Sequence, residues 1–67
     1  MSINRILKDK ESLYIGTLEG KGFKYNQDSI ELLLDEQGNQ TRFLTKLDSQ
    51  IIIGNDLYIY ILTIMEN

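Results

Sequence analysis

Three kinds of side chain in this sequence could do chemistry. Ten carboxylates stand beside seven Lys and Arg, and two carboxyl groups held at a suitable separation can act as general acid and base. Asp9, Glu11, Asp35, Glu36, Asp48 and Glu66, however, fall in turns or charged segments, where a solvated surface is their ordinary role. The chain has no His and no Cys. That removes the commonest general base, the thiol nucleophile and the usual zinc ligands. The glycines from Gly16 to Gly22 superficially suggest a phosphate loop. A P-loop needs four residues between its glycines and a Ser or Thr after the Lys; here three residues separate Gly16 from Gly20, and Gly22 follows Lys21. The expectation is no enzyme, no cofactor and no metal.

The second kind is basic and aromatic. Lys21, Lys24 and Tyr25 lie close together in an otherwise acidic chain, and such a cluster suits one nucleotide or a short single strand better than duplex DNA. Arg42 shares a strand face with Lys46 if the segment is extended, and could join them. The third kind is interfacial. Tyr58 and Tyr60 alternate along an apolar run with Leu62 and Ile64, and tyrosine favours protein interfaces because a large apolar body carries one polar tip. These four residues are the expected interface, and Lys21, Lys24, Tyr25 and Arg42 the expected ligand-binding set.

The elements that must position these groups are short. Ser2 can cap a helix in which Ile3, Ile6 and Leu7 share a face at i, i+3, i+4 spacing, so a brief helix is expected within residues 1–10. From Leu13 the pattern is that of strands, and the breaks are turn-like: Glu19 to Gly22, Gln27-Asp28, Asp35 to Asn39, Asp48-Ser49 and Gly54 to Asp56. Phe23 to Asn26 reads as a continuation of the first strand past a bulge. Five strands at about ten-residue spacing then follow from residue 12 to 65, the pattern of a small barrel. In the last strand Leu57, Ile59 and Ile61 point to one side and Tyr58, Tyr60, Leu62 and Ile64 to the other. It is therefore apolar on both faces, so one face is expected to meet the helix or another subunit.

The order of these features resembles the Sm/LSm family of small SH3-like barrels. Ile51-Ile52-Ile53-Gly54-Asn55-Asp56-Leu57-Tyr58-Ile59-Tyr60-Ile61 is similar to that family's second motif, and Gly22, Asp28 and Ile30 to Leu34 echo its first. The resemblance implies an all-β fold: a strongly bent antiparallel barrel of five strands behind a short N-terminal helix. It also implies a homo-oligomer. Where the family places an Arg before the Gly to hold RNA, this chain has Ile53, and no Asn follows Asp28 within Ser29-Ile30-Glu31, so these two RNA-holding residues of the family do not carry over.

Size and charge bound the rest. A 67-residue chain of 7.8 kDa makes one domain, and at that size a core usually needs disulfides, metal or partner subunits to suffice. Without Cys, self-association is the remaining route. The net charge is −3 and the pI about 4.7, which argues against duplex DNA. The apolar runs are too short to span a bilayer as helices and no secretory leader is evident, so a cytoplasmic location is expected. Ten Ile and ten Leu without any Ala, Val or Pro suggest AT-rich coding, as in low-GC bacteria and their phages. The expected function is a self-assembling, non-catalytic binding module. It antagonises or adapts a protein partner, or alternatively binds a nucleotide or short RNA, and it assembles through its C-terminal strand.

Overall fold

The computed structural model describes residues 2–64; Met1 and residues 65–67, Glu66 among them, lie outside the described residues. Seven strands form two antiparallel sheets: β1 (Ile3–Asp9), β2 (Ser12–Thr17), β3 (Lys21–Asn26) and β4 (Ser29–Asp35) in one, β5 (Phe43–Leu47), β6 (Gln50–Gly54) and β7 (Ile59–Thr63) in the other. Within each sheet every strand pairs with its neighbour in sequence.

The N-terminal helix is not seen, and neither is a closed five-stranded barrel. Residues 3–9 are strand β1. The spacing of Ile3, Ile6 and Leu7 is compatible with a helix, but a strand with both faces apolar meets it equally: Ile6 pairs with Ile15 on one face and Leu7 with Tyr14 on the other. Phe23 to Asn26 likewise does not prolong the first strand. It turns back as β3, pairing Phe23 with Ile15 and Tyr25 with Leu13. These two reassignments convert five strands into seven and a bent barrel into two stacked meanders.

Three of the connections are two-residue hairpin loops, Lys10-Glu11, Gln27-Asp28 and Asp48-Ser49, set by the closing pairs Asp9↔Ser12, Asn26↔Ser29 and Leu47↔Gln50. In each, the first loop residue takes positive φ (56°, 31° and 55°), the twist-matching conformation that tight hairpins demand. The β2–β3 loop uses Gly20 at φ 95°. A Cβ there would stand 2.0 Å from the Glu36 carbonyl oxygen, so glycine is required by contact as well as by conformation.

That close approach marks where the chain leaves one sheet for the other. The connector from Glu36 to Arg42 lies over the β2–β3 loop: Glu36 N–H donates to the Gly20 carbonyl (2.8 Å), Gly38 N–H to Glu19 (3.1 Å) and Thr41 N–H to Thr17 (3.1 Å). Arg42 N–H then donates to the Gly54 carbonyl at 2.8 Å, fixing the start of β5. Thr17 is fully buried under this crossing, and its Oγ1 accepts from the Lys21 N–H at 2.9 Å. The Asn4 side-chain amide donates to the Thr41 carbonyl and Arg5 Nε to the Arg42 carbonyl. β1 and β5 are therefore the strands along which the two sheets approach.

Between the sheets lies a thin core. Tyr14, Ile51 and Ile53 are its buried apolar side chains among the described residues. Gly22 lets Ile53 come close, since a Cβ at 22 would meet the Ile53 Cδ1 at 2.9 Å. Opposite Gly22, β4 bulges: the register shifts between Gly22↔Leu34 and Phe23↔Leu32, leaving Leu33 unpaired, an irregularity that bends a strand locally. The Cα atoms extend only 14 Å in the shortest direction, about the spacing of two stacked sheets with nothing outside them.

Candidate functional site

Two surfaces follow from this arrangement. The first is a cleft. The sheets meet along β1 and β5, whereas β4 and β7 are the edges of their sheets with no neighbouring strand among the described residues. On that open side a cleft of about 280 Å³ is lined by Tyr14, Lys24 and Glu31 of the first sheet and Ile51, Leu62 and Ile64 of the second. Its floor is the buried Tyr14 ring, with Lys24 Nζ 5.8 Å from the ring centroid, a cation–π distance.

The second surface is apolar and faces outward. Residues directly opposite across antiparallel strands share a face, so the registers define two rows across the outside of the four-stranded sheet. One is Ile6–Ile15–Phe23–Leu32; the other is Lys8–Leu13–Tyr25–Ile30. Their ends are well exposed: Ile6 61%, Leu32 52%, Ile30 54%. The three-stranded sheet has a smaller counterpart in Phe43, Leu47, Ile52, Ile59 and Ile61, interrupted by Thr45, Gly54 and Gln50. Among the described residues twelve large apolar side chains are exposed against three buried. Exposed large apolar side chains thus outnumber buried ones, and others such as Leu7, Leu34 and Leu44 are half-buried.

The expected ligand-binding residues do not converge. Lys24 points into the cleft while its neighbour Tyr25 points outward, where it borders a depression of about 480 Å³ with Lys8, Leu13 and Gln27. Lys21 opens β3 opposite Asp35. Arg42 ends the connector just before β5, where its Nε is 3.1 Å from Asp56 Oδ1 and a second guanidinium nitrogen 3.2 Å from Oδ2. Strand alternation explains the separation of Lys24 from Tyr25: adjacent residues face opposite ways.

The expected interface residues divide differently. The Tyr58 and Tyr60 rings lie 6.1 Å apart at 51°, a favourable aromatic geometry. Tyr58 is exposed at the end of a tight turn in which Asn55 Oδ1 accepts from the Leu57 and Tyr58 N–H groups at 2.7 and 2.8 Å. Tyr60, Leu62 and Ile64 are half-buried, and the last two line the cleft. The bare side of β7 is instead Ile59 at 66% and Ile61 at 58% exposure. The most exposed side of β7 is thus the isoleucine side rather than the expected tyrosine side, and in the sequence it is only half of an alternation with no polar face.

Of the charged groups, Glu19 has its carboxyl held below the usual carboxylate range, chiefly because the Ser2 N–H donates to it. No group of three or more Asp, Glu, His or Cys suited to a metal ion occurs among the described residues, and no helix there is long and apolar enough to cross a membrane. The chain matches no family model, and comparison with curated proteins and with solved structures likewise found no match.

Proposed function

We propose that this chain is a non-catalytic binding module that engages a protein partner along the bare side and edge of β7. The observation that carries the reading is the exposure of Ile59 and Ile61 on a strand with one edge unpaired among the described residues, beside the exposed Tyr58. An edge strand offers a row of backbone donors and acceptors to an incoming chain. Alternating apolar side chains give that pairing its register, and an aromatic at the end supplies an anchor. The negative charge of the chain favours a partner with a basic surface and speeds its approach. A chain without His or Cys has little with which to turn over a substrate, and a binding role asks for nothing it lacks.

The test is affinity capture from its source cells with the full chain, run against Ile59→Lys and Ile61→Lys. A specific protein retained by the original chain and lost from both variants is the expected result. The same protein retained by both variants refutes the assignment to β7.

A further inference from the structure

The outer face of the four-stranded sheet is larger than anything on β7, and its composition is inverted relative to a normal sheet. An antiparallel sheet with one buried face turns its apolar side toward the core. Here the inward rows include Asp9, Lys24, Asn26 and Glu31. The outward rows contain seven apolar residues, Ile6, Leu13, Ile15, Phe23, Tyr25, Ile30 and Leu32, with one charge, Lys8. The more apolar side of this sheet faces away from its own partner sheet.

We infer that this face is where two copies of the chain meet, as an isologous dimer with the four-stranded sheets stacked face to face. Three observations point to a second copy. The core of one chain is small, with Tyr14, Ile51 and Ile53 the buried apolar side chains among the described residues, so a chain of this size gains from completing its core across an interface. The area is sufficient: with ordinary side-chain areas the seven residues offer roughly 500 Å² per copy, so about 1,000 Å² in the pair, the threshold for a specific interface.

The third observation is self-complementarity. Sheet-on-sheet packing requires a second apolar sheet face about 10 Å away, and the outer sheet face of the same chain is one. The polar groups on its two rows are the Lys8 ammonium and the Tyr25 hydroxyl, and the rows contain no carboxylate. Two copies of this acidic chain can therefore meet on these rows without opposing carboxylates. A two-fold axis through the middle of the face leaves Lys8, at the β1 margin, on the rim, where its head group reaches water. The outer face of the three-stranded sheet is narrower and interrupted by Thr45, Gln50 and Gly54, so it fits this role less well. The dimer leaves β7 of each chain free, and the inference stands apart from the partner proposed for that strand.

The experiment is sedimentation velocity of the full chain over a wide concentration range, with circular dichroism to monitor folding. Twice the 7.8 kDa chain mass is expected for the original protein. Ile6→Thr and Leu32→Thr place a β-branched, strand-compatible polar residue at two exposed positions. Combined, they should weaken association by at least about tenfold, whereas Ile59→Lys should leave it unchanged. A protein monomeric at every concentration overturns the inference, and so does a dimer lost in Ile59→Lys but kept in the folded double variant. If the double variant does not fold, dilution of the unaltered chain followed by NMR decides. Shifts centred on Ile15, Phe23 and Leu32 support the face, and shifts centred on Ile59 and Ile61 overturn it. A monomer that still captures a protein through β7 would leave the proposed function standing and remove only the dimer.

Discussion

Lys46 Nζ lies 2.8 Å from Asp9 Oδ1, with the side chains 29% and 12% exposed, and the pair ties the first hairpin of one sheet to β5 of the other. The Asp9 carboxylate is largely withdrawn from water, so it depends on this cation. Lys46→Met alone should lower stability by about 1–3 kcal/mol, because it leaves the Asp9 carboxylate without its cation. Asp9→Leu combined with Lys46→Met should recover most of that loss, since well-packed apolar replacements of an ion pair are often neutral. Urea denaturation of the single and double variants measures both, and a double variant as unstable as the single one would contradict this account.

Gly20 and Gly38 separate contact from conformation. Both have strongly positive φ, 95° and 89°. A Cβ at Gly20 collides with two backbone carbonyls of the connector, whereas one at Gly38 meets nothing within 4 Å. Gly38→Ala should cost about 1–2 kcal/mol, the price of the left-handed backbone alone. Gly20→Ala should cost clearly more, at least about 3 kcal/mol, as the connector is forced off the β2–β3 loop. Equal melting temperatures for the two variants would show that the crossing is not packed as described.

Thr17 offers a test of the same crossing by hydrogen bonding. Its side-chain oxygen accepts from the Lys21 N–H, and its carbonyl from the Gly20 and Thr41 N–H groups, all beneath the connector. Thr17→Val preserves the shape and removes the acceptor, leaving the part-buried Lys21 N–H without it, a loss of about 1–3 kcal/mol. Thr17→Ser should retain most of the stability. Calorimetry that finds Val and Ser equivalent would show that the Oγ1 bond is immaterial.

The Glu19 carboxyl titrates below its ordinary range because the ionised form accepts from the Ser2 N–H. A depressed folded-state value means that the contact helps at neutral pH. Its contribution is complete above the unfolded-state pKa and disappears as pH falls through the lower folded-state value. The Ser2 amide resonance should follow that titration, with a midpoint below the ordinary glutamate value. In Glu19→Gln the acid-range movement should vanish. A midpoint at or above the ordinary value would refute the assignment.

Much of the turn chemistry was legible in the sequence. Gln27-Asp28, Asp48-Ser49 and the positive φ of Gly38 lie where polar and glycine residues announce them. Lys10-Glu11 was not legible, because a charged pair without Gly or Asn carries no hairpin signal. Missing that turn left Ile3, Ile6 and Leu7 available to a helical reading, and with them went the first row of the outer sheet face. The alternation of β7 could be read, but not which side the rest of the molecule would cover. Period two defines two faces and is silent about which one is buried. Lys24 and Tyr25 were grouped by nearness in sequence, the property that in a strand sends neighbours apart.

Every strand pairs with its sequence neighbour, and the two meanders are joined by a single crossing between Asp35 and Phe43. The consequence concerns speed. Hairpins closed by two-residue loops demand little chain closure, so each sheet can assemble from contacts that are near in sequence, and topologies of that kind fold quickly. What remains is the docking of one sheet on the other, which recruits contacts distant in sequence, such as Asp9 with Lys46 and Asn4 with Thr41. Changes at those residues should therefore register mainly as faster unfolding, while changes in the hairpin loops should be felt in the folding rate.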